Sequence, residues 1–214
     1  GVDKLRQWTQ RPQSAEFSKA NPREQAAQLY VAALSHLQLK ELPAARTKLQ
    51  QLQTLTQAQG DASAQRQVRW LGAEIELQAQ QPQAALEHLQ PLDWSSSILR
   101  PELLLAGQAL VASGQASKVS DRLQTWLIDH PNDATAWRLL AQAWQAQKQP
   151  LRAVRAEAEA HVAHYDYPAA ADRFKAAQDL ARTNRSQADH IEASIIDTRL
   201  RAVEALLREQ AREQ

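Results

Sequence analysis

The feature that most constrains this chain is an internal repeat with a period of 34 residues. A bulky, small, bulky pattern recurs at this spacing: Leu103, Gly107 and Leu110, then Trp137, Ala141 and Trp144. Before residue 100 the spacing widens to about 40 residues around a polar insertion near Gly60, and after Ala153 it halves to about 17 residues at Ala170. A period of this length predicts a stack of small supersecondary units, because one such unit cannot bury its apolar face alone.

Prolines and short polar turns divide the chain into about ten helices. Pro43, Pro82, Pro150 and Pro168 each follow a polar turn, and proline is favoured in the first turn of a helix. Only five Gly are present, and Ala, Leu and Gln far outnumber the β-branched residues that favour strands. We therefore predict an all-α fold. The predicted helices span 24–40, 43–58, 64–79, 82–91, 100–113, 116–130, 133–147, 150–164, 168–183 and 186–211, with a weaker helix near 3–10.

The repeat pattern resembles the tetratricopeptide repeat (TPR), in which small residues allow close helix crossings and bulky ones fill the remaining gaps. Gly107 and Ala153 are the small residues, and Leu123 and Phe174 are bulky neighbours. The resemblance predicts a TPR-like right-handed α-solenoid of about ten antiparallel helices with a C-terminal capping helix. Repeats would occupy 24–185, after an N-terminal extension or start of the solenoid at 1–23 and before the cap at 186–214. In the cap we expect a buried stripe and a solvent-facing set: Ile191, Ile195, Ala202 and Leu206 in the first, Asp197, Arg201, Glu204 and Arg208 in the second.

Composition excludes several functional classes. The chain has 25 Lys and Arg against 24 Asp and Glu, so it lacks the single-sign charge typical of nucleic-acid binding or of attraction to anionic membranes. The longest apolar stretch, 103–112, is interrupted by Gln108 and is far shorter than the roughly 20 residues of a membrane span. No Cys is available for disulfides or thiolate zinc sites. The absence of Met leads us to expect that the natural protein extends further upstream.

Catalytic and metal-binding chemistry finds little support in the sequence. His161 and His164 lie three residues apart with Asp166 just beyond, a spacing that could present two imidazoles to a metal. The alternative is that the His161 ring packs between helices, and with no third ligand and no HExxH motif we predict no metal site and no cofactor. The run 95–97 consists of three serines in a predicted loop without a GxSxG context. We therefore predict a non-catalytic chain.

The functional class that remains is recognition of a partner at the protein surface. In a TPR, the first helix of each repeat lines a concave groove. Positions one step from the buried small residues would face it, and they are Trp70, Glu74, Gln78, Gln108, Arg138, Gln142 and Gln145. Gln and Arg side chains suit extended polypeptide, because they donate hydrogen bonds to backbone carbonyls and carboxylates. For Trp70 a core position is the alternative. TPRs that hold the acidic C-termini of chaperones resemble one another in carrying Lys and Asn at these positions, whereas this chain has Leu104, Gln108 and Val111.

A narrower resemblance covers the run 151–208. Its segments RAEAE, YDYPAAADRF and DHIEASIIDTRLR resemble the C-terminal end of bacterial periplasmic zinc metalloproteases of the β-barrel assembly-enhancing (BepA) type. In those proteins an N-terminal HExxH protease domain precedes a TPR domain. The zinc-binding residues of that family match nothing in this chain, so no catalytic residue is carried over, and zinc would be expected only in the absent protease domain.

The resemblance implies a periplasmic, non-catalytic interaction domain. Its partners would be the outer-membrane β-barrel assembly complex, unfolded or stalled outer-membrane protein clients, and its own protease domain. Two alternatives stay open: a free-standing TPR scaffold of another assembly or secretion system, and an enzyme in its own right that depends on His161 and His164.

Overall fold

The computed structural model describes residues 1–94, 98–183 and 187–213, and every regular element in these ranges is helical. The twelve α-helices there are α1 Val2–Gln10, α2 Ala15–Lys19, α3 Pro22–Gln38, α4 Leu42–Gln59, α5 Ala62–Gln78, α6 Pro82–His88, α7 Arg100–Ala112, α8 Ser117–Asp129, α9 Ala134–Ala146, α10 Pro150–Ala163, α11 Tyr167–Thr183 and α12 Gln187–Glu213. A 3₁₀ turn at Arg11–Gln13 joins α1 to α2. The all-α prediction is confirmed for these residues.

The helix boundaries agree closely with the sequence pattern. Each predicted helix is present, and its ends fall within two residues of the predicted ones except in α6, which stops at His88 instead of continuing to residue 91. The short α2 was not predicted. Its start is fixed by Ser14, whose Oγ accepts a hydrogen bond from the Phe17 backbone N–H at 3.2 Å. The sequence did not predict this helix, because five residues are too few to show a helical pattern.

Side-chain caps and prolines fix several of the other helix starts. Asn21 and Glu24 form a reciprocal capping box at the start of α3, where Pro22 occupies the first turn. Asp61 accepts from the Ala64 N–H at the start of α5, and Asp133 accepts from the Ala136 N–H at the start of α9. These acceptors satisfy backbone donors that have no partner inside the helix.

One helix-ending turn recurs along the chain and makes the sequence period visible in the backbone. Its residue with a left-handed conformation is Lys40, Gln80, Gly114, Lys148 and then Tyr165, so the turn repeats after 40, 34, 34 and 17 residues. In every copy the N–H of the following residue donates to the carbonyl five residues before it, as in Gln81 to Glu76 at 2.8 Å and Gln149 to Trp144 at 2.9 Å. The wide, regular and halved intervals of the sequence therefore each end in the same turn.

The chain forms two compact units, residues 1–109 and residues 110–214. In the first unit consecutive helices contact each other from α3 to α6, α1 packs on α3, and α3 also touches α5. Small and branched apolar residues from α3, α4 and α5 form its core. They are Leu29, Ala33, Leu37, Ala45, Leu49, Leu52, Val68, Leu71 and Ile75.

In the second unit consecutive helices contact each other from α8 to α12, and α10 also touches α12. Leu123 and Phe174, both predicted as gap-filling residues, are fully buried. The core of the last three helices consists of Leu151, Ala158, Ala170, Ala171, Phe174, Ala177, Ile196, Leu200 and Val203. Packing between successive helices within each unit is consistent with an α-solenoid, whereas the division into TPRs at 24–185 and a cap at 186–214 stays a prediction.

The predicted buried stripe of α12 is wrong. Ile191 is 65% exposed and Ile195 is 38% exposed, Ala202 is exposed, and Leu206 is half-buried. The buried positions are instead those of Ile196, Leu200 and Val203, about a quarter-turn round the helix. Of the predicted solvent-facing set, Glu204 is half-buried, whereas Asp197, Arg201 and Arg208 are exposed. The periodicity of apolar residues identifies the apolar faces of a helix, but it does not show which of two such faces is buried.

Candidate functional site

In the first unit, α5 carries three of the predicted groove residues. Trp70, Glu74 and Gln78 are spaced by four residues and therefore follow one face of the helix. Trp70 is partly buried, and its indole N–H lies 3.4 Å from Glu102 Oε1 on α7. The Gln78 amide donates to the Leu37 carbonyl at the end of α3, at 3.2 Å. Two of the three side chains thus already have a partner within the unit.

Glu74 faces α3, where the sequence analysis named no groove residue. Burial raises the pKa of Tyr30 on α3, and the Glu74 charge raises it further, which places the phenol and the carboxylate near each other. Glu74 is exposed by surface area, yet the surrounding protein removes enough hydration from the carboxylate to raise its pKa. Tyr30 on α3 and Glu74 on α5 therefore interact electrostatically.

An apolar groove of about 310 Å³ opens beside Tyr30 between α3, α4 and α5. Its walls are Ala26, Ala27, Tyr30, Val31, Leu52, Thr56, Ala64 and Val68, and its polar lining is Arg23, Gln59, Asp61 and Gln67. The sequence analysis missed this groove because the insertion near Gly60 obscured the repeat alignment in this region. The available signal was the run 26–31, in which Ala26, Ala27, Tyr30 and Val31 share one helical face.

Gln108, the fourth predicted residue of the first unit, is exposed on α7. It follows the buried Gly107, so the predicted step from a buried small residue to an exposed polar one is present at this position.

In the second unit, α9 carries Arg138, Gln142 and Gln145. All three are exposed, and intervals of four and three residues align them on one face. The other faces of α9 are buried through residues that include Leu139, Leu140, Ala141 and Trp144. Trp137 is only half-buried, because its indole N–H donates to the Pro131 carbonyl at 2.8 Å instead of entering the core. The seven predicted residues thus form separate groups in the two units.

A charged cluster that the sequence analysis did not name joins α10 to α12. Arg155 hydrogen-bonds to Glu192, and Arg152 Nε lies 3.9 Å from Glu192 Oε2. Arg199 binds Glu159 through two hydrogen bonds of 2.7 Å. Glu159 and Glu192 are buried, so these guanidinium groups compensate carboxylates that would otherwise be costly to bury.

The positions of His161, His164 and Asp166 have a structural explanation. Asp166 accepts a hydrogen bond from the Ala169 N–H in the first turn of α11, and its Oδ2 lies 3.5 Å from His161 Nδ1. His164 is exposed at the end of α10. Among the described residues, no group of three or more His, Cys, Asp or Glu side chains could hold a metal ion. The three serines at 95–97 lie outside the described residues.

Comparison with known proteins finds no protein-family model and no curated protein that matches this chain. Within the part of the chain that the structure describes, no helix combines the length and the apolar character that a membrane crossing requires. Interpretation of the candidate surfaces therefore depends on their own geometry and on the sequence resemblance.

Proposed function

We propose that the chain is a non-catalytic protein-interaction domain that binds extended polypeptide. The observation that carries this proposal is the stripe of Arg138, Gln142 and Gln145 on α9. Three long polar side chains on one exposed face are spaced to donate hydrogen bonds to successive groups of a bound backbone, and the buried remainder of α9 holds them in place.

The finer proposal follows the sequence resemblance. The chain would be the interaction domain of a periplasmic zinc metalloprotease of the β-barrel assembly-enhancing type, and it would dock the outer-membrane protein assembly machinery or its unfolded clients. Support comes from the motif run 151–208 and from the helix-ending turn that recurs at the spacing of the repeat. A free-standing repeat scaffold of another assembly system shares the recurring turn and differs in the partner that it binds.

A binding experiment tests the general proposal. A labelled outer-membrane β-barrel polypeptide, unfolded in urea, is diluted into a solution of this protein, and binding is followed by fluorescence anisotropy. We expect Gln142→Ala to weaken binding by about threefold to tenfold, equivalent to about 0.6–1.4 kcal/mol, without changing the melting temperature. The matched control is Gln50→Ala, which removes an exposed glutamine of α4 and should leave binding unchanged.

Two outcomes would contradict the proposal. Equal binding by the wild type and by a variant with Ala at residues 138, 142 and 145 would remove the α9 stripe from the interaction. Loss of folding on Gln142→Ala would show that the residue is structural. For the finer proposal, size-exclusion chromatography with purified outer-membrane assembly complex should show co-elution, and its absence would favour the free-standing scaffold.

A further inference from the structure

The last helix, α12, is apolar on two faces, and the residues that the structure describes bury only one of them. Ile196, Leu200 and Val203 are buried in the core with α10 and α11. The second face begins with Ile191 and Ile195, which are 65% and 38% exposed. It continues through the exposed Ala202 and the half-buried Leu206. We call these four residues, Ile191, Ile195, Ala202 and Leu206, the outer stripe.

The outer stripe is straight and long. Its residues are separated by four, seven and four positions, so they lie on one side of the helix over about 22 Å. The exposed Thr198 lies between Ile195 and Ala202 on the same side. A long, mainly apolar strip of this kind matches the side of another helix, whose apolar residues recur at the same intervals and pack at about 8–10 Å between axes. An extended strand would need unpaired backbone groups as partners, and α12 offers none along its side because those groups are bonded within the helix.

Among the side chains that the structure describes, arginines outnumber carboxylates at the edge of the outer stripe that faces α10. Arg152 and Arg155 of α10 both interact with Glu192, so one carboxylate balances two guanidinium groups. Arg199 and Glu159, the neighbouring pair, neutralise each other. Glu192 lies three residues before Ile195, which makes these two side chains neighbours on the helix surface.

Of the two arginines that interact with Glu192, Arg152 is the more accessible to a partner. Its side chain is 40% exposed, against 17% for Arg155. The Arg152 guanidinium also stands 5.0 Å from the centre of the Trp144 ring, which holds the charge in one position. A carboxylate from outside could therefore pair with Arg152 without breaking the bond between Arg155 and Glu192.

We propose that the outer stripe docks an amphipathic helix of a partner protein, whose apolar residues cover Ile191 and Ile195 and whose Asp or Glu pairs with Arg152. The length of the stripe specifies a helix, and the two-to-one ratio of arginine to glutamate specifies acidic character. This surface is separate from the α9 stripe of the proposed function, and its test does not depend on that function.

The probes are two labelled synthetic helical peptides with the same Leu and Ile stripe, one flanked by Glu and one flanked by Lys. Fluorescence anisotropy with the whole chain should show the acidic peptide binding at least about tenfold more tightly. High salt should reduce this difference, since it screens exposed charges. Arg152→Gln should reduce it as well, whereas Arg201→Gln, a change at an exposed arginine elsewhere on α12, should not.

Separate variants test the contribution of the apolar side chains to peptide binding. Replacing Ile191 and Ile195 together by Ser should weaken binding of the acidic peptide about tenfold or more. Ile128→Ser is the matched control, because Ile128 is 78% exposed on α8 and lies outside the stripe. Circular dichroism checks that each variant is folded, and if the double variant is not, Arg152→Gln decides the test.

Three results would overturn the proposal. The acidic and basic peptides could bind equally well, or Ile128→Ser could weaken binding as much as the double substitution does. Sedimentation equilibrium could also show the chain alone dimerising and the double variant remaining monomeric. That last result would assign the outer stripe to a second copy of this chain.

Discussion

Glu76 shows how a single buried charge is stabilised in the first unit. Its side chain is 10% exposed, and both oxygens accept hydrogen bonds from Arg46, one helix earlier, at 2.8 and 2.6 Å. These hydrogen bonds are the largest cause that holds the pKa of Glu76 below its ordinary value of 4.5. The pair bridges α4 and α5 across 30 residues of sequence, a distance at which no local pattern can indicate a partner.

The lowered pKa has a direct consequence for stability against pH. A carboxylate whose folded pKa is lowered stabilises the fold fully above pH 4.5, and this stabilisation is lost as the pH falls through the folded value. We expect Glu76→Gln to lose about 1.5–3 kcal/mol at pH 7, towards the lower end because Arg46 is 44% exposed. The difference from wild type should shrink below pH 4.5.

Urea unfolding at a series of pH values measures this effect. The matched control is Asp179→Asn, which breaks an exposed pair with Arg182 whose side chains are 74% and 75% exposed. Such pairs contribute at most about 1 kcal/mol. A constant difference between wild type and Glu76→Gln from pH 7 to pH 3 would contradict the assignment.

Gly72 marks a close approach of two helices in the first unit. A Cβ at this position would lie 2.5 Å from Nδ1 of His88 on α6, well inside van der Waals contact. His88 is partly enclosed, and burial lowers its pKa. We expect Gly72→Ala to destabilise the chain by about 1–3 kcal/mol.

A double-mutant cycle separates this clash from other effects. In a His88→Ala background the added methyl group has room, and alanine favours a helix over glycine by about 1 kcal/mol. Gly72→Ala should therefore be neutral or stabilising in that background. Thermal and urea denaturation of the four proteins provide the values, and an equal loss in both backgrounds would show that His88 is not the obstacle.

At the scale of helices, α12 provides the sharpest comparison. Ile195 and Ile196 are consecutive and chemically identical, yet Ile195 is 38% exposed and Ile196 is fully buried against α10 and α11. We expect Ile196→Ala to cost about 2–5 kcal/mol, in the range of buried large-to-small substitutions, and Ile195→Ala to cost about 0.5 kcal/mol or less. Urea unfolding measures both. The reverse order would restore the buried stripe that the sequence predicts.

The same helix shows what sequence alone can decide. The period and the prolines predicted the regular helices because helix ends depend on local capping and turn chemistry, and Gly114 and Lys148 end their helices in the same way at the predicted interval. The covered face of α12 was not predictable, because both faces are apolar and the choice depends on where α10 and α11 place their side chains. For the same reason, the sequence could not predict the hydrogen bond between Arg199 and Glu159, which are 40 residues apart.

The candidate surfaces also divide into features that depend on local sequence and features that depend on packing between helices. Gln142 and Gln145 were predictable as exposed because their neighbours on α9 follow the repeat. Tyr30 and the groove beside it were missed where the insertion near Gly60 disturbs the repeat. A groove between three helices is a property of their packing, and a sequence pattern shows only the apolar residues that line it.

At the scale of the whole molecule, each unit is built from contacts between neighbouring helices. One core joins α3, α4 and α5, and another joins α10, α11 and α12. In proteins built by such nearest-neighbour packing, stability is approximately a sum of local terms, so a defect destabilises its surroundings more than the rest of the chain.

Hydrogen exchange followed by mass spectrometry tests this expectation in the intact chain. Phe174→Ala removes a fully buried ring from the second core and should cost about 3–5 kcal/mol. Exchange should accelerate in α10, α11 and α12 and stay unchanged in α3, α4 and α5. Leu49→Ala, a change at a buried residue of the first core, is the matched converse and should accelerate exchange in α3 to α5 alone. A uniform acceleration by either variant would mean that both cores unfold together, and local packing would then not determine the stability of this protein.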